Sequence, residues 1–170
     1  MSADAAARDV LASASVQRVI ALLADYGVRG RVAVLDGSAR TARDAAHALG
    51  VDVAQIASSL VFRAHQRDGG TAPLLVLTSG AHRVDTAKVA AALDLADITL
   101  ADATYVREHT GFAIGGVAPL GHLTPPLTVV DVSLGRYAEV WAAAGHPHTV
   151  FPTSYDELLR ITGGHAAEVA

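Results

Sequence analysis

The chain lacks cysteine altogether, and its single lysine is Lys88. Without cysteine there can be no disulfide, no thiol nucleophile and no thiolate ligand for a metal. Without other lysines, an amine base, a Schiff base or a lysine contact to phosphate would have to involve Lys88. No dense group of histidines and carboxylates replaces the missing thiolates, so we expect neither a metal site nor a bound cofactor.

Long apolar runs and excess positive charge are missing as well. No stretch approaches the roughly 20 apolar residues that span a bilayer. The first residues, "MSADAAARDVLASAS", lack the basic start and apolar core of a secretory signal. The formal net charge is −4. This charge argues against electrostatic binding of nucleic acid over a broad surface, but not against recognition of one RNA end. These absences predict a cytoplasmic protein with no membrane or DNA partner.

What the chain does contain is a mixture of helix and strand patterns without a linker or repeat. We expect one compact domain over 1–170, of the α/β or α+β class. An N-terminal helix is predicted at about 13–27, a helical turn in "YAEVWAAAG", and a frayed tail at 164–170. Strands are predicted in "RVAVLD", "LVF", "PLLVLTSG", "DITLAD", "LTVVDV" and, as the last strand, "HTVFP".

Polar residues mark where four further helices begin. Thr41, Asp85, Asp102 and Ser154 each precede a helical pattern, and each can accept a hydrogen bond from the first turn. Gly50 and Gly111 are typical helix stops. The helices that begin at Thr41 and Asp102 are therefore predicted from both ends.

The segment "IGGVAPLGH" (114–122) is the most unusual one. Gly115 and Gly116 leave the backbone accessible, and Pro119 restricts the loop that follows. Such a loop can bring N–H groups close to a carbonyl or phosphate of a ligand, but it can also be a tight connection between strands. It is neither a G-x-G-x-x-G fingerprint nor a phosphate-binding P-loop.

Two other polar segments allow a functional and a structural interpretation. In "AGHPH", His146 could bind a hydroxyl or phosphate, or the segment could be a polar turn; alternate positions make a metal shared with His148 improbable. In "SGAHRVD", His82 and Arg83 could contact phosphate or hold the loop in place. Asp131 closes a predicted strand, where it could orient water or a ribose hydroxyl, or simply stabilise a turn.

Ser58 and Ser59 stand just before the apolar strand Leu60–Phe62. Small hydroxyl residues at that position could mark a turn, or they could face a pocket. The residues alone leave both interpretations open.

Taken in order, the segments resemble the YbaK/EbsC family, which is similar to the editing domain of bacterial prolyl-tRNA synthetases. The resemblance is carried, over about two-thirds of the chain, by "TARDAAHALGVDVAQIASSLVF", "LLVLTSGAHRVD", "TGFAIGGVAPLGH", "VVDVSL" and "VWAAAGHPHTVF". It implies a curved mixed sheet flanked by helices. It also implies hydrolysis in trans of the ester of mischarged aminoacyl-tRNA, with the acceptor end of tRNA as partner and a monomer or homodimer as the active form.

The resemblance also assigns roles to individual residues. The G-x-x-x-P motif of the family falls on 115–119 and would line the aminoacyl pocket. Asp131 matches an acidic position on the pocket wall, and His146 and Pro147 match a segment near the terminal adenosine. Ser58 stands where most relatives have a lysine that grips the tRNA end, so Ser58 and Ser59 are expected at the pocket mouth.

The mechanism implied is attack of water on an ester that is already activated, so positioning and oxyanion stabilisation suffice. Backbone N–H groups of Gly115 and Gly116 are the candidates for the oxyanion. The residues expected to shape the pocket or contact substrate are Leu60, Phe62, Val117, Pro119, Thr41 and Arg83. Arg40, Arg43 or Arg83 could supply the charge of the missing lysine. A binding protein without catalysis and a hydrolase of another small ester remain the alternatives.

Overall fold

The computed structural model describes residues 2–37 and 41–170. These residues form one mixed sheet flanked by helices, which confirms the predicted fold class. The helices are α1 Ala3–Leu11, α2 Ala14–Asp25, α3 Ala42–Leu49, α4 Thr86–Ala92, α5 Ala103–Thr110 and α6 Tyr155–Thr162. The strands are β1 Ala33–Val34, β2 Ile56–His65, β3 Thr71–Ser79, β4 Asp97–Leu100, β5 Leu127–Asp131, β6 Val140–Ala143, β7 Thr149–Thr153 and β8 His165–Ala167.

The sheet runs in the order β1-β7-β6-β2-β3-β5-β8, and β4 pairs with β2 outside this row. The β2–β3 hairpin at its centre is antiparallel. Parallel pairs join β2 to β6, β3 to β5 and β5 to β8. None of the helices in residues 2–37 and 41–170 is long and apolar enough to cross a membrane.

The predicted helix starts are confirmed by the hydrogen bonds that cap them. Thr41 Oγ1 accepts from the N–H of Asp44 at 3.1 Å, and Ser154 Oγ accepts from the N–H of Glu157 at the same distance. Asp85 and Asp102 cap α4 and α5 in the same way. Because these acceptors satisfy N–H groups that have no partner inside the helix, they fix where each helix begins.

The core lies on both faces of the sheet. Alternate residues of β2 and β3 point to opposite faces, so Val61 and Leu77 pack under α2, α5 and α6 on one side. On the other side, Phe62 packs with α4 and Ile56 packs with α3. The cavity described below lies beside the α3 cluster, at the edge of β2.

The segment "YAEVWAAAG" is not a helical turn, as predicted, but contains strand β6. Its side chains alternate between buried and half-buried over Val140–Ala143. Alanine favours helices in isolation. Here β6 lies between β7 and β2, and pairing on both sides overrides that preference.

Both ends of the chain are more ordered than predicted. The N-terminus adds helix α1 before α2. The tail predicted to fray instead forms β8, which makes "HTVFP" the next-to-last strand. Val169 is fully buried, and Asp85 donates its N–H to the Val169 carbonyl at 2.7 Å. The tail is too short to show a strand periodicity in the sequence, and it begins next to the glycine pair Gly163–Gly164. Its strand is therefore recognised only from its tertiary contacts.

We expect Val169→Ala to lower the free energy of unfolding by about 1–3 kcal/mol, because it removes buried methyl groups between α4 and β5. The neighbouring Glu168 is exposed and pairs with Lys88 at 3.2 Å, so Glu168→Ala should cost less than about 1 kcal/mol. Urea denaturation of both variants measures the difference. Equal losses, or no loss in either, would mean that the tail does not contribute to the core.

Candidate active site

A gap along one edge of β2 creates the cavity. On this edge β2 pairs with β6 at Ile56–Ala57 and with β4 at Phe62–His65. Residues 58–61 lie between these two partners, and a cavity of about 280 Å³ opens there. Ser58 and Ser59 therefore belong to the interior of a strand that begins at Ile56, four residues earlier than predicted. They line the cavity, as the pocket interpretation expected.

Two walls of the cavity meet at the β2 edge. One wall is formed by Pro147 and by the segment 111–122 that follows α5, which we call the glycine loop. The other wall is the start of α3 with β6 and β7. Seven of the predicted site residues line it: Thr41, Ser58, Ser59, Leu60, Gly115, Val117 and Pro147. Lining residues that were not predicted include Ile114, Trp141, Thr149 and Val150.

Gly115 and Gly116 of the glycine loop are required for different reasons. Gly115 has φ +88°, a conformation that side-chain-bearing residues rarely adopt. Gly116 packs so closely on the next loop that a Cβ there would lie 2.8 Å from the Cα of His146 and 2.9 Å from the nitrogen of Pro147. Its N–H donates to the Ala113 carbonyl at 3.0 Å. The N–H of Gly116 is therefore engaged and cannot serve as the predicted oxyanion donor.

The N–H groups of Gly115 and Val117 differ from that of Gly116. Neither donates to any acceptor among the described residues, and both residues line the cavity. Val117 is buried and Gly115 is half-buried, and a buried N–H without a protein partner is rare. These two groups are the donors that the loop can offer to a ligand carbonyl.

Helix α2 stabilises the start of the glycine loop through Arg18. Arg18 donates to the Thr110 carbonyl at 3.3 Å and lies 4.8 Å from the centre of the Phe112 ring. At the other end of the loop, His122 Nε2 donates to the Ala118 carbonyl at 2.6 Å. Burial lowers the pKa of His122, so this ring is neutral and its one N–H is used within the loop. The loop is thus fixed at both ends.

The loop that carries His146 is fixed by α2 as well. Ser15 Oγ donates to the Gly145 carbonyl at 2.8 Å. The Nδ1 of His146 accepts from the N–H of His148 at 3.0 Å, and burial, followed by the nearby His148 ring, lowers the pKa of His146. A neutral imidazole that accepts at Nδ1 carries its proton on Nε2. His146 lies behind Pro147, against the glycine loop, and is not part of the cavity wall itself.

Two buried polar atoms of the wall have no protein partner among the described residues. They are Ser59 Oγ and the indole nitrogen Nε1 of Trp141. Buried polar groups are usually hydrogen-bonded, because leaving one unpaired costs about 1–3 kcal/mol. Trp141 pairs with Ile56 in the sheet and was not predicted from sequence. The signal that could have found it is that it is the only tryptophan in the chain.

Asp131 lies outside the cavity wall and is 1% exposed. Its carboxylate accepts from the N–H groups of Ser79 and Ser133, each at 2.9 Å, and from Ser133 Oγ at 2.8 Å. His82 Nδ1 lies 2.8 Å from the same carboxylate. Burial by itself raises the pKa of Asp131, but these hydrogen bonds outweigh it and leave the pKa below its usual value. With four donors, the carboxylate stabilises the loops at the ends of β3 and β5.

Three other predicted contacts also lie away from the cavity wall. Phe62 is in the core under α4, Pro119 lines a separate depression behind the loop, and Arg83 is exposed beyond β3. Lys88 is held by Glu168 and by the Ala170 carbonyl at 2.9 Å, so it does not replace the family lysine. Arg43 faces another depression, with Asp44 and His47, and Arg40 lies outside the described residues. None of the described cations lines the cavity.

Residues 36–161 match the model of the aminoacyl-tRNA editing domain. The chain belongs to that family. The match covers the cavity, the glycine loop and the His146 loop, and it confirms the resemblance inferred from the motifs.

Several proteins are similar to this editing domain. The uncharacterized protein YwhH of Bacillus subtilis (strain 168) is 32% identical over 131 residues, which are 77% of this chain and 80% of that protein. A solved structure, described as that of a candidate trans-editing enzyme for prolyl-tRNA synthetase, is 41% identical with a TM-score of 0.83. It matches 92% of this chain and 97% of its own. The hypothetical protein APE2540 is 27% identical with a TM-score of 0.80, covering 89% and 98% of the two chains.

Proposed function

We propose that this editing domain is a trans-acting deacylase that hydrolyses the ester of mischarged aminoacyl-tRNA carrying a small amino acid. The observation that carries the proposal is the cavity wall in which Gly115 and Val117 offer unpaired N–H groups beside Ser59. The similar structure described as a candidate trans-editing enzyme supports action in trans. A substrate used in translation implies that the protein works in the cytoplasm and contributes to translation fidelity.

The proposed reaction needs little acid–base chemistry from the protein. The ester carbonyl lies at the glycine loop, where the two N–H groups stabilise the charge that develops on its oxygen when water attacks. Ser59 Oγ, buried and without a protein partner, holds that water or a ribose hydroxyl. The cavity of about 280 Å³ has to hold the ester and the terminal ribose as well as the aminoacyl side chain, so it favours a small side chain. No step uses Asp131, whose carboxylate is occupied elsewhere.

The function is tested by deacylation of a panel of tRNAs charged with alanine, serine, cysteine, threonine and proline. We expect selective hydrolysis of one or a few small amino acids. Binding of these tRNAs without hydrolysis would instead support the alternative of a non-catalytic relative. Equal hydrolysis of a short aminoacyl-adenosine and of intact tRNA would support a hydrolase of small esters that needs no tRNA body.

Ser58→Lys tests the effect of the missing family lysine. Ser58 is half-buried in the wall, and none of the described cations lines the cavity. We expect kcat/KM for intact tRNA to rise about fivefold to tenfold at low salt, because a charge-assisted contact to phosphate is about twice as strong as a neutral one. Steady-state kinetics at increasing ionic strength should show the gain disappear as the charge is screened.

Ser58→Met is the matched control, since it has similar length and no charge. An equal gain in Ser58→Met would mean that the effect is apolar packing and not phosphate binding. Activity that appears only in Ser58→Lys would mean that the natural chain is a catalyst that has lost its activity on an intact scaffold.

A further inference from the structure

The only tryptophan of the chain, Trp141, is built into the α3 side of the cavity. Its ring packs with the cluster that contains Ile56, Ala45 and Val150, three buried residues that also line the cavity. Its indole nitrogen is buried, but no described residue accepts a hydrogen bond from it. A phenylalanine would supply the same apolar surface without this cost. The position therefore has a polar N–H where packing alone does not require one.

The strand geometry separates Trp141 from the glycine loop. Along β2, Ile56 and Ser58 point to the face covered by α3, whereas Ala57 and Ser59 point to the opposite face. Trp141 packs in the cluster on the α3 face, and Val117 packs in the cluster on the other. The cavity therefore wraps around the free part of the β2 edge. A ligand whose ester carbonyl lies at Gly115 would meet Trp141 with a different part of the molecule.

That part can be inferred from the residues that line the α3 side of the cavity. Ala45, Ile56 and Val150 lie there beside Trp141 and are buried and apolar. Such a surface suits the aminoacyl side chain better than the terminal adenosine, which continues into the rest of the tRNA. An α-ammonium group cannot accept a hydrogen bond from an indole N–H, and an alkyl side chain cannot either. A hydroxyl oxygen can.

We propose that Trp141 is a specificity-determining residue whose Nε1–H donates a hydrogen bond to a side-chain hydroxyl of the bound aminoacyl group. The cavity then selects hydroxylated amino acids, serine or threonine, over alkyl amino acids of similar size. This inference rests on the proposed function for the location of the ester. A site that donates to a substrate oxygen rejects the analogue that lacks it, because its own buried N–H is left unpaired.

The test uses proline tRNA that ends in 3′-amino-3′-deoxyadenosine and is charged with serine or alanine through a stable amide. Calorimetry should show that the wild type binds the seryl form about fivefold to tenfold more tightly than the alanyl form. Trp141→Phe should bind the two forms equally, with affinity for the alanyl form unchanged or slightly improved. A uniform loss for both forms would overturn the proposal, because Trp141 would then contact a part that both share.

A second measurement does not depend on the variant folding. Because Trp141 is the only tryptophan, its indole N–H gives one resonance in a ¹⁵N correlation spectrum. The seryl form should shift this resonance downfield, as a new hydrogen bond does, and the alanyl form should not. Equal shifts, or none with either bound form, would overturn the proposal while leaving the editing function intact. Failure of both forms to bind, in a protein that deacylates another tRNA of the panel, would overturn this inference alone. Failure to bind together with no deacylation of any tRNA in the panel would remove the proposed function as well.

Discussion

Gly116→Ala is expected to reduce deacylation by about 100-fold or more while the protein remains folded. A Cβ at this position would lie 2.8 Å from the Cα and carbonyl carbon of His146 and 2.9 Å from the nitrogen of Pro147. These are backbone atoms, so one of the two loops must move by several tenths of an ångström or more. Displacements of about 1 Å in a positioned site can cost about 100-fold in rate.

The glycine at 116 is thus required for the contact between two loops and not for ligand access. Its N–H is already bonded to the Ala113 carbonyl, and the N–H groups without an acceptor among the described residues are those of Gly115 and Val117, which line the cavity. Moving the glycine loop would displace the N–H groups of Gly115 and Val117 from the ester carbonyl. We expect the loss to appear in kcat more than in KM, because it affects stabilisation of the transition state.

Gly135→Ala is the matched control for this variant. The three atoms nearest to a Cβ there all belong to the Tyr155 ring, at 3.4 Å, which is an ordinary contact, and Gly135 does not have a positive φ. We expect activity close to that of the wild type and stability unchanged or slightly higher. Single-turnover deacylation and circular dichroism compare the two variants. Full activity in Gly116→Ala would mean that the loop is not part of the reactive site.

Asp131→Asn is expected to lower the free energy of unfolding at pH 7 by about 2–4 kcal/mol. The buried carboxylate accepts from two backbone N–H groups, one hydroxyl and the His82 ring. An amide of the same shape keeps one acceptor oxygen but places an NH₂ group against a donor. The variant therefore loses charge-assisted bonds and leaves a buried donor unpaired.

The pH dependence of this loss has a defined sign. Because the hydrogen bonds lower the pKa of Asp131 in the folded state, its contribution is fully present above the unfolded pKa of about 3.9. The contribution disappears as pH falls through the lowered folded pKa. Urea denaturation from pH 7 downward should show the difference between wild type and Asp131→Asn shrinking only below about pH 4.

Asp94→Asn is the control for charge removal. Asp94 pairs with Arg67 at 2.9 Å on the surface, where the two side chains are 85% and 68% exposed. Its φ is +54°, which asparagine also tolerates. We expect a change below about 1 kcal/mol at any pH. A similar small change in Asp131→Asn would show that its hydrogen bonds contribute little to folding, and Asp131 would become available again as a site residue.

The sequence by itself determined the local structure where short-range chemistry is decisive. The helix starts at Thr41, Asp85, Asp102 and Ser154 were predictable because a capping side chain and the N–H it satisfies are three residues apart. The order of motifs also determined the family and the fold class. It placed Ser58, Ser59, Gly115 and Val117 in one pocket, as the cavity shows.

Only the tertiary structure decided which of the candidates share a cavity. Strand β6 and the tail strand β8 form because neighbouring strands pair with them, although "YAEVWAAAG" alone favours a helix. Asp131 and Gly116 were predicted as ligand contacts. The sequence does not show whether a carboxylate or a glycine contacts a ligand or another part of the protein. The partners that settle the matter, Ser79 and His82 for one and His146 for the other, lie 30 to 52 residues away. Trp141 was missed for the same reason, since its role depends on an N–H that folding buries without a protein partner.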